Sequence, residues 1–167
     1  KIFTYYLRGK MYTKIGEIEK AIQDFSSAIN VRPSMAGLYI DRGVLLLQKG
    51  LIDESITDFD KSLELFPGNP IAFRYRGESF REKGQYEKAI DSLMEVVRIN
   101  KFHANAYLAL GLAHSKLEQY DPTIIHLQKA LDLNPKLEEA FYPLGLSLMK
   151  VGRFEDASVL LSKTKTE

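Results

Sequence analysis

The sequence predicts an all-α fold of five helical hairpins in tandem, and three observations carry that prediction. Gly9, Gly43, Gly77, Gly111 and Gly145 recur every 34 residues along the 167-residue chain. Between them the apolar side chains fall at helical steps of three and four, as in Tyr86, Ala89, Ile90, Leu93 and Val97. A second set of glycines, Gly16, Gly50, Gly84 and Gly152, interrupts the units near their midpoints. Glycine inside a helix costs about 1 kcal/mol relative to alanine, so five in phase need a shared reason. Close approach of one helix to another is the simplest. A fixed period of this length marks a stacked repeat, whose core lies between neighbouring units.

With Ile2, Ala36, Pro70, Ala104 and Glu138 at position 1, a single array is expected, with repeats at 2–35, 36–69, 70–103, 104–137 and 138–167. In repeat 1 the first helix spans 2–15, Gly16 suits the left-handed residue that closes it, and the second helix, 18–31, stops at Pro33. Repeat 2 follows the same plan, with helices at 36–49 and 52–65, Gly50 between them and Pro67 at the end. Repeat 3 has helices at 70–83 and 86–99 around Gly84, and Lys101 stands where the others have the terminating proline. Repeat 4, with helices at 104–117 and 120–133, has Glu118 in place of the turn glycine and Pro135 at its end. Its Pro122 falls in a first helical turn, after an expected Asp121 cap, where a missing N–H does little harm. Repeat 5 has helices at 138–151 and 154–165. Pro143 is expected to bend the first of these and to free the carbonyl of Glu139 as an acceptor for a partner. Its final turn, Lys163–Glu167, is polar where earlier units have Ala28-Ile29 or Ala130-Leu131, so the array is expected to end nearby, with self-association one way to cover its last face. A chain opening on Lys1, almost at a repeat boundary, is expected to be a fragment of a longer protein.

Composition narrows the function. The chain is 45% hydrophobic and 27% charged, and 23 Lys and Arg against 22 Asp and Glu leave a formal charge of +1. That balance is no footprint for nucleic acid or for an anionic membrane. No apolar run approaches the roughly 18 residues of a membrane span. There is no cysteine, and the three histidines are His103, His114 and His126. No phosphate-binding loop, dinucleotide fingerprint or paired metal-ligand motif is present, and no cofactor, metal site or catalytic residue is expected. His114 and His126, at positions 11 and 23 of repeat 4, are placed to approach one another, but two histidines without a third ligand are a weak case for zinc.

The pattern resembles the tetratricopeptide repeat (TPR) over essentially the whole chain. That family has an aromatic at position 4, Gly or Ala at 8, a bulky residue at 17, Ala at 20, an aromatic at 24, Ala at 27 and Pro at 32. Repeat 1 supplies Tyr5, Gly9, Ile18, Ala21, Phe25, Ala28 and Pro33, and repeat 3 supplies Phe73, Gly77, Tyr86 and Ala89. The resemblance implies a right-handed superhelical solenoid of five helix-turn-helix units whose first helices line a concave groove that binds proteins or peptides. It also implies an intracellular, cytoplasmic setting, with cytoskeletal or ciliary assemblies among the places where such arrays occur.

Position 7 is usually leucine in this family, yet repeats 1 to 3 carry Arg8, Arg42 and Arg76, and position 23 carries Asp24 and Asp58. Both positions change together in repeats 4 and 5, to Leu110 with His126 and Leu144 with Leu160. The coupling predicts a ladder, Arg8–Asp24–Arg42–Asp58–Arg76, in which each aspartate lies between arginines of successive repeats. Its role is inter-repeat register, suited to the planar guanidinium fork.

Carried over by position, the groove residues are Tyr6, Lys10, Ile40, Val44, Arg74, Tyr75, Glu78, Leu108, Leu112 and Tyr142, with Met149 extending the apolar strip. The strip suits an amphipathic helix or an extended segment with apolar anchors. Side chains at position 5, such as Ile40 and Leu108, are equally suited to packing against a neighbouring first helix. The carboxylate clamp by which some family members hold Hsp70 or Hsp90 tails needs Lys and Asn, then Asn, then Lys and Arg at set positions. Starting at repeat 1 those positions hold Tyr6, Lys10, Asp41, Ile71 and Tyr75, and no other register supplies the clamp, which disfavours that activity. The expectation is a non-enzymatic scaffold that binds a polypeptide in its groove. The alternative is an architectural spacer in a large assembly such as a ciliary or cytoskeletal complex.

Overall fold

A computed structural model describes residues 1–162 and consists, over that range, of ten α-helices and one short 3-10 turn. They are α1 (Ile2–Lys14), α2 (Ile18–Val31), α3 (Ala36–Gln48), α4 (Ile52–Leu65), α5 (Pro70–Glu82), α6 (Tyr86–Ile99), α7 (Ala104–Lys116), α8 (Tyr120–Leu133), α9 (Phe141–Lys150) and α10 (Phe154–Leu161). The polar turn expected at Lys163–Glu167 lies outside the described residues. No described helix is long and apolar enough to cross a membrane.

The helix ends follow local chemistry. Gly16, Gly50, Gly84 and Gly152 all take positive φ, between 76° and 82°, and close the first helices of their repeats. Glu118 does the same at φ 55° without being glycine. α6 ends at Ile99 without a proline because the Asn100 side chain accepts a hydrogen bond from the Phe102 N–H at 3.0 Å. Two sequence expectations need correction here. Asp121 is not a cap, since α8 starts at Tyr120 and Asp121 lies within its first turn. Pro143 does not bend a long helix: a 3-10 turn at Glu138–Ala140 precedes α9, which starts only at Phe141. Proline is thereby placed in a first turn, where its missing N–H breaks no intrahelical bond.

The chain divides into two compact units, Lys1–Lys83 with α1–α5 and the part from Gly84 onward with α6–α10. In the first unit Ala21, Phe25, Ala28 and Ile29 of α2 bury Leu38, Tyr39 and Leu45 of α3, with Ile2, Tyr5, Tyr6 and Tyr12 of α1 packed alongside. A smaller cluster joins Ile40, Leu63 and Ala72, with Val44 and Phe73 against it. The second unit has its core at Leu108, Leu127, Ala130, Leu131, Ala140, Leu144, Leu148 and Ala157.

The phased glycines lie where one helix crosses another. A Cβ at Gly43 would stand 2.8 Å from the Phe59 ring and 3.2 Å from the Asp58 Cβ, and one at Gly9 would stand 3.1 Å from the Phe25 ring.

Candidate functional site

The arginines at position 7 set the geometry of the first unit. Arg8 grips Asp24 through Nε and Nη2, both at 2.7 Å, and Arg42 grips Asp58 in the same way at 2.8 and 2.6 Å. Both aspartates are buried. The hydrogen bond to Asp58 raises the Arg42 pKa against the opposing effect of burial. The ladder differs from the sequence expectation in one respect. The aspartates pair within their own repeats, and the link to the preceding repeat runs through position 25. Arg42 Nη1 donates to the Ser26 hydroxyl at 3.0 Å, and Arg76 Nη1 donates to Asp60, not Asp58, at 2.8 Å. Positions 23 and 25 are two residues apart on the second helix and do not share a face, so the two arginines that flank it take different side chains.

This framework holds the first-helix face on α1, α3 and α5. Lys10 bonds Asp41 at 2.8 Å and stands 5.9 Å from the centre of the Tyr6 ring. Burial opposes the Lys10 charge, but the bond and charge of Asp41 outweigh it and raise its pKa. Phe59, drawn close to Gly43, stacks on Tyr75 with ring centres 5.8 Å apart and planes 13° apart. The Arg74 guanidinium lies 3.9 Å from the Tyr75 ring centre, and Glu78 approaches Arg74 to 3.9 Å. Tyr6, Lys10, Arg74, Tyr75 and Glu78 thus reach the surface in a held arrangement, and Val44 is half-buried. Ile40 is not presented there; it is buried with Leu63 and Ala72.

In the second unit Leu108 is likewise buried in the core, Leu112 packs against that core, and Tyr142 and Met149 are exposed. The two position-5 side chains therefore serve packing, while aromatic and charged neighbours carry the face. His114 and His126 do approach, stacked with ring centres 5.1 Å apart, and His114 Nδ1 lies 2.6 Å from Gln119 Oε1. Burial, and then the charge of His114, lower the His126 pKa. Among the described residues no group of three potential metal ligands occurs. A feature not foreseen from sequence is an open pocket of about 350 Å³ lined by Ile22, Ser26, Arg42, Leu46, Glu54, Thr57 and Asp58. Of its charged lining residues, Arg42 and Asp58 are already engaged with one another.

Two family models of this architecture match the chain. One, described as TPR repeat, covers residues 9–50 and 77–118, and the other, described as tetratricopeptide repeat, covers 36–69 and 104–137. The chain belongs to the tetratricopeptide repeat family. Solved TPR structures agree in fold. MamA from residue 41 to its end, from Desulfovibrio magneticus RS-1, is 26% identical, with a TM-score of 0.91 over 98% of this chain and 92% of that one. The MamA RS-1 ArsTM double mutant is 25% identical, with a TM-score of 0.93 over the same shares. YrrB, described as a TPR protein with an unusual peptide-binding site, is 21% identical, with a TM-score of 0.88 over 98% of this chain and 84% of its own. No curated protein sequence matches the chain.

Proposed function

We propose that this TPR chain is a non-enzymatic protein-interaction scaffold that holds a polypeptide segment on its first-helix face. The observation that supports this most is the pairing of Arg74 with Tyr75 in the first unit, where the ring rests on buried Phe59 and the guanidinium lies over the ring. Tyr and Arg are enriched among residues that dominate binding energy, and a side chain fixed in advance loses less entropy on binding. The charges on this face largely compensate one another, Lys10 with Asp41 and Arg74 with Glu78. A segment anchored by apolar or aromatic side chains therefore suits it better than a strongly charged one.

Peptides selected from a random library on the intact chain test the reading. Arg74→Ala combined with Glu78→Lys alters only half-exposed side chains. It is expected to weaken the selected peptides about tenfold or more, a hot-spot loss, with the melting temperature unchanged. Selected peptides that bind the double variant as tightly as the parent contradict it.

A further inference from the structure

In the first unit Gly9 and Gly43 lie too close to the Phe25 and Phe59 rings for a Cβ, and Gly16 and Gly50 take positive φ. Gly37 answers to neither need. It lies in the first turn of α3, exposed and helical, and a Cβ built there would meet nothing within 4 Å. Neither packing nor backbone conformation calls for this residue, which is unfavourable inside a helix. α3 lies between α1, to which it is tied by Lys10 and Asp41, and α5, against which Ile40 packs through Ala72. At the repeat position of Gly37 those two helices carry large apolar side chains, Phe3 and Ile71, and both are exposed. Gly37 thus bares a turn of helix backbone between two apolar walls.

The charges on this face are paired but for one. Lys10 bonds Asp41, Arg74 faces Glu78, and Arg81 faces Glu82. Lys14, one turn beyond Lys10 on the same side of α1, is exposed and takes part in no ion pair among the described residues. Short turns reverse the chain between successive helices, so α1 and α3 run the same way. The Lys10–Asp41 bond fixes their register: Gly37 precedes Asp41 by one turn, and Lys14 follows Lys10 by one turn. The bare backbone and the unpaired cation therefore stand about two turns, or roughly 11 Å, apart along the helix axes. An extended chain advances about 3.3 Å per residue and presents every second side chain on one side, so residues four apart span that gap facing the same way.

We propose, on the reading that the first-helix face is the binding surface, that Gly37 seats an aromatic side chain of an extended polypeptide segment. An aspartate or glutamate four residues away in that segment pairs with Lys14. A ring can lie flat on the exposed turn and meet Phe3 and Ile71 with its edges, a contact that a branched aliphatic side chain makes less fully. The paired charges beside Gly37 leave nothing for a charged anchor to satisfy there, while the unpaired ammonium of Lys14 calls for one carboxylate.

The probes are two labelled peptides of serine and glycine, capped at both ends, that carry phenylalanine and aspartate four residues apart in either order. One of them is expected to bind the intact chain saturably, with a Kd on the order of 100 μM. Gly37→Leu should weaken it about tenfold by filling the notch. Its melting temperature should stay or rise, because the new side chain enters open space and favours the helix. Lys14→Glu should weaken the peptide about threefold or more, and lysine in place of the peptide's aspartate should recover that loss. Absence of saturable binding by both peptides, or binding that Gly37→Leu leaves unchanged, overturns the proposal, and equal affinity for Lys14→Glu overturns its acidic half. Library-selected peptides that weaken on Arg74→Ala with Glu78→Lys but ignore Gly37→Leu also overturn it, while the first-helix face stands as the binding surface.

Discussion

Asp58 is nearly sealed from solvent, with both carboxylate oxygens taken by Arg42, while the same arginine reaches back to Ser26. Removing a buried carboxylate strands the cation that faced it, which costs more than the pair contributes net. Asp58→Ala is therefore expected to destabilise by about 2 kcal/mol, lowering the melting temperature by about 6 °C. Asp60→Ala, whose side chain is 48% exposed, should cost well under about 1 kcal/mol in the same assay. Equal losses for the two would contradict the division of labour between positions 23 and 25. The pairing of positions 7 and 23 was legible in the sequence because both change together in repeats 4 and 5. The exchange of Asp58 for Asp60 beneath Arg76 was not, since the offset between adjacent repeats decides it. In repeat 4 His126 occupies the place of the aspartate, and burial holds its pKa below the ordinary imidazole value. Its neutral form stabilises the fold fully above about pH 6.5, and that contribution is lost as pH falls from there toward the lowered value. Thermal melts at pH 7 and pH 5 should show a drop that His126→Leu, the residue at the equivalent position in repeat 5, reduces. A drop of the same size in the variant would contradict it.

Each first helix must stop and reverse within three residues, and a left-handed residue accomplishes this at Gly16, Gly50, Gly84 and Gly152. Glu118 adopts the same conformation with a side chain attached, at a cost of roughly 1–2 kcal/mol. Glu118→Gly is expected to stabilise the chain by about 1 kcal/mol, read as a higher midpoint in urea unfolding at unchanged slope. A lower midpoint would show that Glu118 makes a compensating contact. The sequence departures at Glu118 and Lys101 left the element boundaries almost where the glycine and proline pattern places them. Pro143 did not, because the sequence shows that a proline is present but not that a 3-10 turn will absorb the residues before it. The helices themselves were legible from apolar spacing. Which apolar residues remain at the surface was less so: Ile40 and Leu108 share their spacing with exposed neighbours and yet lie in the core.

Across the molecule one backbone plan is repeated while the chemistry changes. The first unit braces its helices with Arg–Asp pairs whose aspartates are buried and offers the Arg74–Tyr75–Glu78 cluster on its first-helix face. The second unit fills the position-7 sites with Leu110 and Leu144, buries Leu108, and leaves Tyr142 and Met149 exposed. A scaffold can in this way keep one fold and vary what each stretch of surface presents, as expected of arrays stabilised by nearest-neighbour packing. The direct test is to photocrosslink a library-selected peptide carrying a benzophenone group to the intact chain and map the adducts by mass spectrometry. Adducts concentrated on α1, α3 and α5, around Tyr6, Lys10, Arg74 and Glu78, are the predicted result. Adducts concentrated on α2, α4 and the turns would contradict it and favour an architectural role.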